Sequence, residues 1–282
     1  MTGLRSILGA ALLGLAGPAA AAAGQDITPA SALAVQALLR SAAAPAISMP
    51  VWTSHRDAPP AAYRRNPSVW TGVSVDLTGK AVWNSRNGAF GTTAISPLHV
   101  VYAHHAGGVY PPGTIVRFVA NDNSPVERIV VSSANIGGTD LDLSTLDAPL
   151  PETIHWFKVM PEHWFLHCSR QSPGTLGTLP CLVMDGNTQS VSVKDLEGFY
   201  PGNFATQLPA DPLRLSFSRD LRGGDSGSPL FILVGGQLVL DGIYHTPRSG
   251  VEVSANIAAL DAAMKGSGYQ VTVADLAGGL PH

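Results

Sequence analysis

One serine stands in a setting that favours nucleophilic chemistry. Ser226 lies in the run GGDSGSP, residues 223–229, and an apolar stretch follows it. A serine hydroxyl attacks a carbonyl readily only when a base removes its proton, and it must be exposed on a tight turn. Gly224 and Gly227 allow the backbone to bend and a substrate to approach closely. The backbone N–H groups of Gly224 and Ser226 would then face the oxyanion that develops during acyl transfer.

Two stretches resemble the chymotrypsin/trypsin family of serine peptidases. Residues 224–229 are similar to its nucleophile motif, with Ser228 where many members carry glycine. Residues 91–105 resemble the strand and turn that lead to the catalytic histidine of that family. This stretch ends in Tyr-Ala-His-His, with His104 where the family has a small residue. The resemblance implies that the second histidine, His105, is the general base.

A third stretch resembles the strand that carries the catalytic aspartate of the family. With Asp140 as the acid of DLDLSTL (residues 140–146), leucines follow at one, three and six residues, as that strand requires. Asp142 is the alternative acid, and it breaks this spacing. The family's carboxylate orients the imidazole and stabilises the imidazolium. The resemblance thus implies a triad of His105, Asp140 and Ser226, in the chain order of the chymotrypsin type.

The resemblance also suggests candidates for the substrate pocket. Asp220 precedes Ser226 by six residues, the offset at which trypsin-like members carry the acid that binds lysine or arginine. Tyr244 and His245 would line the same pocket, and a histidine there is similar to glutamate-specific bacterial members. These candidates point to opposite preferences, so the P1 specificity stays open. Asp225 would hold the oxyanion turn; in trypsin-like zymogens its partner is a newly cut N-terminus, and this chain lacks an Ile-Val-Gly-Gly start.

Short β-rich runs between turn signals predict an all-β fold in two halves, separated by residues 150–180 and followed by a helix. Over residues 68–266 the resemblance implies two antiparallel six-stranded barrels, about 68–150 and 180–252, with the site in the cleft between them. The helix spans 254–265, with Ser254 as its cap, and a tail covers 267–282. The predicted strands are Val69–Leu77, Thr92–Ile95, Thr114–Val119, Arg128–Ser132, Asp140–Leu146, Cys181–Met184, Ser190–Val193, Leu213–Phe217, Pro229–Val234 and Gln237–Thr246.

The N-terminus has the order of a secretory signal peptide. Arg5 is followed by an apolar run over residues 7–15 and by small residues over 19–23. We expect cleavage near Ala23 and a secreted or periplasmic protein. Residues 24–67 are either an N-terminal arm or a propeptide, with a short helix predicted over 30–43. No later apolar run reaches the length of about 18 residues that a membrane span needs.

The composition limits the partners of the chain. Hydrophobic residues make up 45% and charged residues 13%, which is too apolar for a disordered protein. The net charge of −3 provides no basic field for nucleic acid. We expect a monomer that acts on a protein or peptide, without a cofactor.

Cysteine and histidine residues form two further groups with potential for bonding or metal binding. Cys168 and Cys181 would form a disulfide in an oxidising compartment, or remain two thiols if the strands hold them apart. His163 and His167 have the spacing of a metal pair on a helix. Pro161 and the surrounding aromatic residues favour a packed linker instead, so no metal is expected.

Three functions fit the sequence. The first is a secreted serine endopeptidase that works through an acyl-enzyme. The second is a catalytically inactive, protease-like binding protein. His104 favours it, and so does the absence of the disulfide that frames the loop around the Asp220 position in trypsin-like members. The presence of all three triad residues opposes it. The third is an esterase that uses the same site, because acyl transfer serves both bonds.

Overall fold

The computed structural model describes most of the chain after residue 25. The predicted signal peptide, residues 1–23, lies outside the described part, and so do the last six residues of the predicted tail. Among the described helices, none is both long and apolar enough to cross a membrane. The described residues are 26–42, 49–54, 58–72, 75–82, 91–168 and 179–276.

The first half is an antiparallel sheet in the order β1-β2-β5-β4-β3. The strands are β1 (Thr93–Ala94), β2 (His99–Ala103), β3 (Ile115–Val119), β4 (Pro125–Asn135) and β5 (Leu141–Leu146).

A short segment joins the two edges of this sheet. Lys80 forms a single bridge with Thr93 of β1, and Val82 forms one with Arg117 of β3. The segment 80–82 therefore occupies the position of the sixth strand that the barrel prediction requires. The strand predicted over Val69–Leu77 is absent from its described residues, which form turns instead.

The second half is a closed six-stranded barrel in the order β10-β11-β8-β7-β6-β9, as predicted. The predicted hairpin at Gly235-Gly236 joins β9 to β10, and both glycines adopt positive φ, 55° and 79°. All residues of β9 are buried, which matches its uninterrupted apolar sequence. The strands are β6 (Pro180–Met184), β7 (Val191–Tyr200), β8 (Asn203–Gln207), β9 (Pro229–Val234), β10 (Gln237–Tyr244) and β11 (Ser249–Glu252).

The predicted strand Leu213–Phe217 is wrong, because this segment lies in the helix α2 (Pro212–Ser216) and the turn that ends it. Asp211 caps the helix, since its carboxylate accepts from the backbone N–H of Arg214 at 2.9 Å. Pro212 stands at the first helical position, where its fixed φ suits a helix. These local signals outweigh the alternating apolar pattern.

The C-terminal helix, α3 (Ile257–Met264), is present, but Ser254 does not cap it. Ser254 lies in a 3₁₀ turn before the helix, and its hydroxyl donates to Asp241 Oδ1 at 3.0 Å. A buried carboxylate thus takes the hydroxyl that the cap prediction needed. Leu260 and Met264 of α3 are buried in the core.

The helix predicted over 30–43 is α1 (Thr28–Ser41), and it packs against β6, β9 and α2. Val35 and Leu39 are buried in the same core cluster as residues of both halves. Trp52 and Tyr63 of the following segment are completely buried as well. The predicted fold class is confirmed: the chain is mostly β, with a six-stranded barrel, a second antiparallel sheet and a C-terminal helix.

The predicted disulfide is wrong. Cys168 and Cys181 are buried in one apolar cluster, but both are thiols. Cys181 lies on β6 opposite Lys194 of β7, and its Sγ donates to the Lys194 carbonyl at 3.4 Å. Burial raises the pKa of the Cys181 thiol, so this sulfur is protonated and unreactive.

Candidate active site

The structure brings His105, Asp140 and Ser226 together. His105 lies in a 3₁₀ turn directly after β2, Asp140 immediately precedes β5, and Ser226 lies in the turn before β9. His105 Nδ1 is 2.7 Å from Asp140 Oδ2, and His105 Nε2 is 2.7 Å from Ser226 Oγ. With the ring proton on Nδ1, the imidazole donates to the carboxylate and accepts from the serine hydroxyl. This arrangement can remove the serine proton during an attack.

The adjacent histidine forms a separate pair. His104 Nδ1 lies 2.9 Å from Asp142 Oδ1, and the carboxylate of Asp142 is completely buried. Asn135 of the neighbouring strand β4 also donates to Asp142, at 3.0 Å. His104 and the alternative acid Asp142 are therefore paired with each other, and only the His105–Asp140 pair reaches Ser226.

Three nitrogen atoms surround the carboxylate of Asp140. Besides the ring of His105, the His105 backbone N–H donates to Asp140 Oδ1 at 2.7 Å, and His245 Nδ1 lies 3.4 Å from Oδ2. Partial burial alone would raise the pKa of Asp140, but the contacts with His245 and His105 outweigh it and lower the pKa to about 2. Asp140 therefore stays ionised at neutral pH, as an acid that orients a base must.

The turn that carries Ser226 is held in an unusual backbone conformation. Gly224 and Gly227 have φ of 92° and 83°, which side chains rarely tolerate. Gly91, from the first half, packs against the turn so closely that a Cβ there would lie 2.6 Å from the Ser226 carbonyl oxygen. The Gly227 N–H donates to the Tyr244 carbonyl at 2.9 Å, which ties the turn to β10. Both halves thus shape the turn.

The backbone donors predicted for the oxyanion are unoccupied. Among the described hydrogen bonds, the N–H groups of Gly224 and Ser226 have no protein acceptor, whereas those of Asp225 and Gly227 do. Ser228, which stands where many members of the family have glycine, supports the turn because its hydroxyl donates to the Asp225 carbonyl at 2.6 Å. The turn can therefore offer two N–H groups to a developing anion.

Asn187, in the loop between β6 and β7, is a site residue that the sequence did not reveal. Its backbone N–H and its side-chain Nδ2 both donate to Asp225 Oδ1 at 2.9 Å, and Nδ2 also donates to the Gly223 carbonyl at 2.9 Å. The N–H of Arg222 donates to Asp225 Oδ2 at 2.8 Å. The residues 185–187, Asp-Gly-Asn, are a turn signal, but such a signal does not identify the partners of the turn.

A buried carboxylate supports this loop. Asp185 is completely buried, accepts from the backbone N–H groups of Thr188 and Ser190, and forms an ion pair with Arg219. Burial raises the pKa of Asp225, and the backbone donors Asn187 and Arg222 oppose the rise. The partners of Asp225 are all internal to the fold, and none of those described is a chain terminus.

The structure does not bring the three pocket candidates together. The carboxylate of Asp220 lies 3.3 Å from Lys194 Nζ and 4.0 Å from Arg248 Nε, so its charge is balanced within the protein. The ring of Tyr244 is buried, and its hydroxyl lies 2.9 Å from Thr206 Oγ1 in the barrel interior. His245 lies against Asp140 instead of beside Asp220.

His163 and His167, whose spacing would suit a metal pair on an α-helix, do not lie on one. His163 has a left-handed backbone conformation and directly precedes a 3₁₀ helix, and its Nε2 lies 3.4 Å from Glu162 Oε1. The side chain of His167 lies outside the described part. Within the described ranges, no group of three or more histidine, cysteine or acidic residues could hold a metal ion.

Comparison with known proteins yields structural matches only. No protein-family model matches the chain. No curated protein matches it either. One solved structure similar to it is the scabies mite inactivated protease paralogue S-I1, with a TM-score of 0.45 and 15% identity. The match covers 62% of this chain and 88% of the mite protein.

Proposed function

We propose that the chain is a secreted serine endopeptidase of the chymotrypsin type, which hydrolyses peptide bonds through an acyl-enzyme. The observation that carries this proposal is the position of His105, 2.7 Å from both Asp140 and Ser226. Secretion is the part of the proposal that rests on the signal-peptide pattern of residues 1–23.

The proposed reaction uses the triad and the two backbone N–H groups in both acylation and deacylation. Ser226 Oγ attacks the substrate carbonyl while its proton passes to His105 Nε2. The oxyanion lies against the N–H groups of Gly224 and Ser226, and His105 then protonates the leaving amine. In the second step a water molecule gives a proton to His105 Nε2 and attacks the acyl carbon, and His105 then returns that proton to Ser226 Oγ as the acid product leaves. Asp140 stays ionised and stabilises the imidazolium in both steps.

The balanced charge of Asp220 argues against a preference for lysine or arginine at P1. A buried cation, Lys194, already neutralises that carboxylate. We therefore test the proposal with a peptide library that is unbiased at P1, using protein that starts at Gly24. Cleavage is expected from the wild type and is lost in Ser226→Ala; no cleavage of any peptide would contradict endopeptidase activity.

The same assay distinguishes an esterase from a peptidase. An ester panel, run beside the peptides, is expected to show turnover of both substrate classes by a peptidase. Turnover of esters alone would replace the proposal with an esterase. If neither panel is turned over and no covalent serine probe reacts, the inactive binding protein remains.

A further inference from the structure

The loop between β6 and β7, residues 185–190, touches two different parts of the molecule. On one side, Asn187 donates to Asp225 in the turn of the nucleophile. Gly186 packs on the same turn so closely that a Cβ there would lie 3.0 Å from the Gly224 carbonyl oxygen. The loop is therefore in direct contact with one of the residues whose N–H groups can face an oxyanion.

The other side of the loop is held by the N-terminal segment, which here means the described residues between 49 and 72. The Val51 N–H donates to the Gln189 carbonyl at 2.8 Å. The indole N–H of Trp70 donates to the Val191 carbonyl, directly after the loop, at 2.8 Å. Val51 and Trp70 are both buried, so water does not replace either donor.

The backbone of this loop depends on such support. Gln189 has a left-handed conformation, with φ of 54°, which is unfavourable for a residue with a Cβ and persists only where its surroundings hold it. The Asp185 carboxylate accepts from the backbone N–H groups of Thr188 and Ser190, on both sides of Gln189. The loop is thus one hydrogen-bonded unit, and a shift of Gln189 reaches Asn187 two residues away.

We propose that Val51 and Trp70 are positioning residues of the active site, because they hold the loop 185–190 where Asn187 aligns the oxyanion turn. The proposal rests on the function proposed above, and it makes turnover depend on chain that precedes the predicted peptidase domain, residues 68–266. Without these donors the loop relaxes away from the turn. Misaligned oxyanion donors slow the chemical step and leave substrate binding largely intact.

Two tryptophan-to-phenylalanine variants of the N-terminal segment separate this role from packing. Trp70→Phe keeps an aromatic ring near Phe217, whose centroid lies 5.1 Å from that of Trp70, and it removes the N–H donor. Trp52→Phe is the matched control, since Trp52 is also buried but its indole nitrogen has no hydrogen-bond partner among the described residues. Both changes remove the same atoms from buried sites, and urea denaturation shows whether each variant remains folded.

The first measurement is hydrogen–deuterium exchange of the loop amides, followed by mass spectrometry. Exchange is expected to be about 10-fold faster in Trp70→Phe than in the wild type, because one buried hydrogen bond is lost, and unchanged in Trp52→Phe. The second measurement is steady-state kinetics on a cleaved peptide. Trp70→Phe should lower kcat about 10-fold with little change in KM, and Trp52→Phe should keep the wild-type kcat. Equal exchange rates, or an equal loss of kcat, in the two variants would overturn the proposal.

The exchange measurement does not need catalysis. A wild type that cleaves no peptide therefore refutes the proposed function, while the exchange rates still test whether the N-terminal segment holds the loop. If Trp70→Phe does not fold, an ester in place of the Val51 amide removes the other donor and keeps the side chain. This ester is expected to give the same faster exchange, and wild-type exchange in the ester would overturn the proposal.

Discussion

At the scale of single residues, two aspartates two positions apart each face a histidine. Asp140 holds His105 at 2.7 Å, and Asp142 holds His104 at 2.9 Å. The two carboxylates differ in what their histidines reach, because only His105 contacts Ser226. The chain thus contains its own matched control for the function of the triad acid.

We predict opposite outcomes for the amide variants of these two residues. Asp140→Asn is expected to lower turnover by about 10⁴-fold, because an amide cannot stabilise the imidazolium and favours the wrong ring tautomer. Asp142→Asn should change turnover by far less, since His104 does not touch the serine. Steady-state kinetics on a cleaved peptide decide this, and a larger loss in Asp142→Asn would reverse the assignment.

The sequence predicts these residues but does not describe their contacts. The motif around Ser226 and the spacing of leucines after Asp140 are local patterns, so they could be read without a structure. The contact between His245 and Asp140 joins residues from different halves, and no local pattern reports it. The same limit applies to Asp220, which lies outside the strands and whose partner Lys194 lies on β7.

At the scale of elements, the loop between β6 and β7 supports the turn that carries the nucleophile. Asn187 makes three hydrogen bonds to this turn. The buried carboxylate of Asp185 stabilises the loop because it accepts from the backbone N–H groups of Thr188 and Ser190. In trypsin-like zymogens a new N-terminus supplies the partner of the corresponding aspartate. Here internal donors occupy Asp225, so we expect the turn to form without N-terminal cleavage.

Removal of the side-chain donor is predicted to impair catalysis. Asn187→Ala should lower turnover by about 10²-fold with a smaller change in KM, because the Gly224 N–H would lose its alignment with the oxyanion. Asn203→Ala is the control, since among the described hydrogen bonds its side-chain amide donates to the Pro201 carbonyl, in the turn between β7 and β8, and not to the turn that carries Ser226. Equal kinetics for the two variants would show that Asn187 does not organise the turn.

The burial of α1 favours the arm over a removable propeptide. Leu39→Ala is predicted to reduce the free energy of unfolding by about 3 kcal/mol, because it leaves a cavity in the shared core. Leu33→Ala, which changes a leucine that is 70% exposed, should change it by less than about 0.5 kcal/mol. Urea denaturation measures both, and equal values would indicate that α1 does not belong to the folded core.

Predictions of elements succeeded where one pattern dominated and failed where two competed. The apolar run of β9 and the two glycines after it indicated a strand and a hairpin without ambiguity. Over residues 213–217 the alternating apolar side chains predicted a strand, while Asp211 and Pro212 are signals for the start of a helix. The cap of α3 failed for a different reason, because Ser254 has a buried partner, Asp241.

At the scale of the whole molecule, the barrel contains two buried acids, Asp241 and Glu252, whose pKa values are raised in the folded state. Burial, with a contribution from the charge of Asp241, raises the pKa of Glu252 from 4.5 to about 8, and burial raises that of Asp241 from 3.8 to about 6. Between the unfolded and the folded pKa values the native state binds more protons than the unfolded state. Stability from these groups therefore falls as the pH rises from about 4.5 to 8.

Replacement of Glu252 tests this dependence. Glu252→Gln is predicted to flatten the loss of stability between pH 5 and 8, and to be more stable than the wild type at pH 8 by on the order of a few kcal/mol. Glu152→Gln changes an exposed carboxylate and should follow the wild-type curve. Urea denaturation at several pH values provides the comparison; parallel curves for Glu252→Gln and the wild type would contradict the buried ionisation.

Activation of Ser226 by His105 can be tested by covalent labelling with a fluorophosphonate. Protein that starts at Gly24 is treated with the probe beside Ser226→Ala and His105→Ala, and the adduct is located by mass spectrometry. We expect an adduct on Ser226 in the wild type and none in either variant, since such changes typically reduce turnover by about 10⁶-fold. An unlabelled wild type, or equal labelling of His105→Ala, would contradict the account.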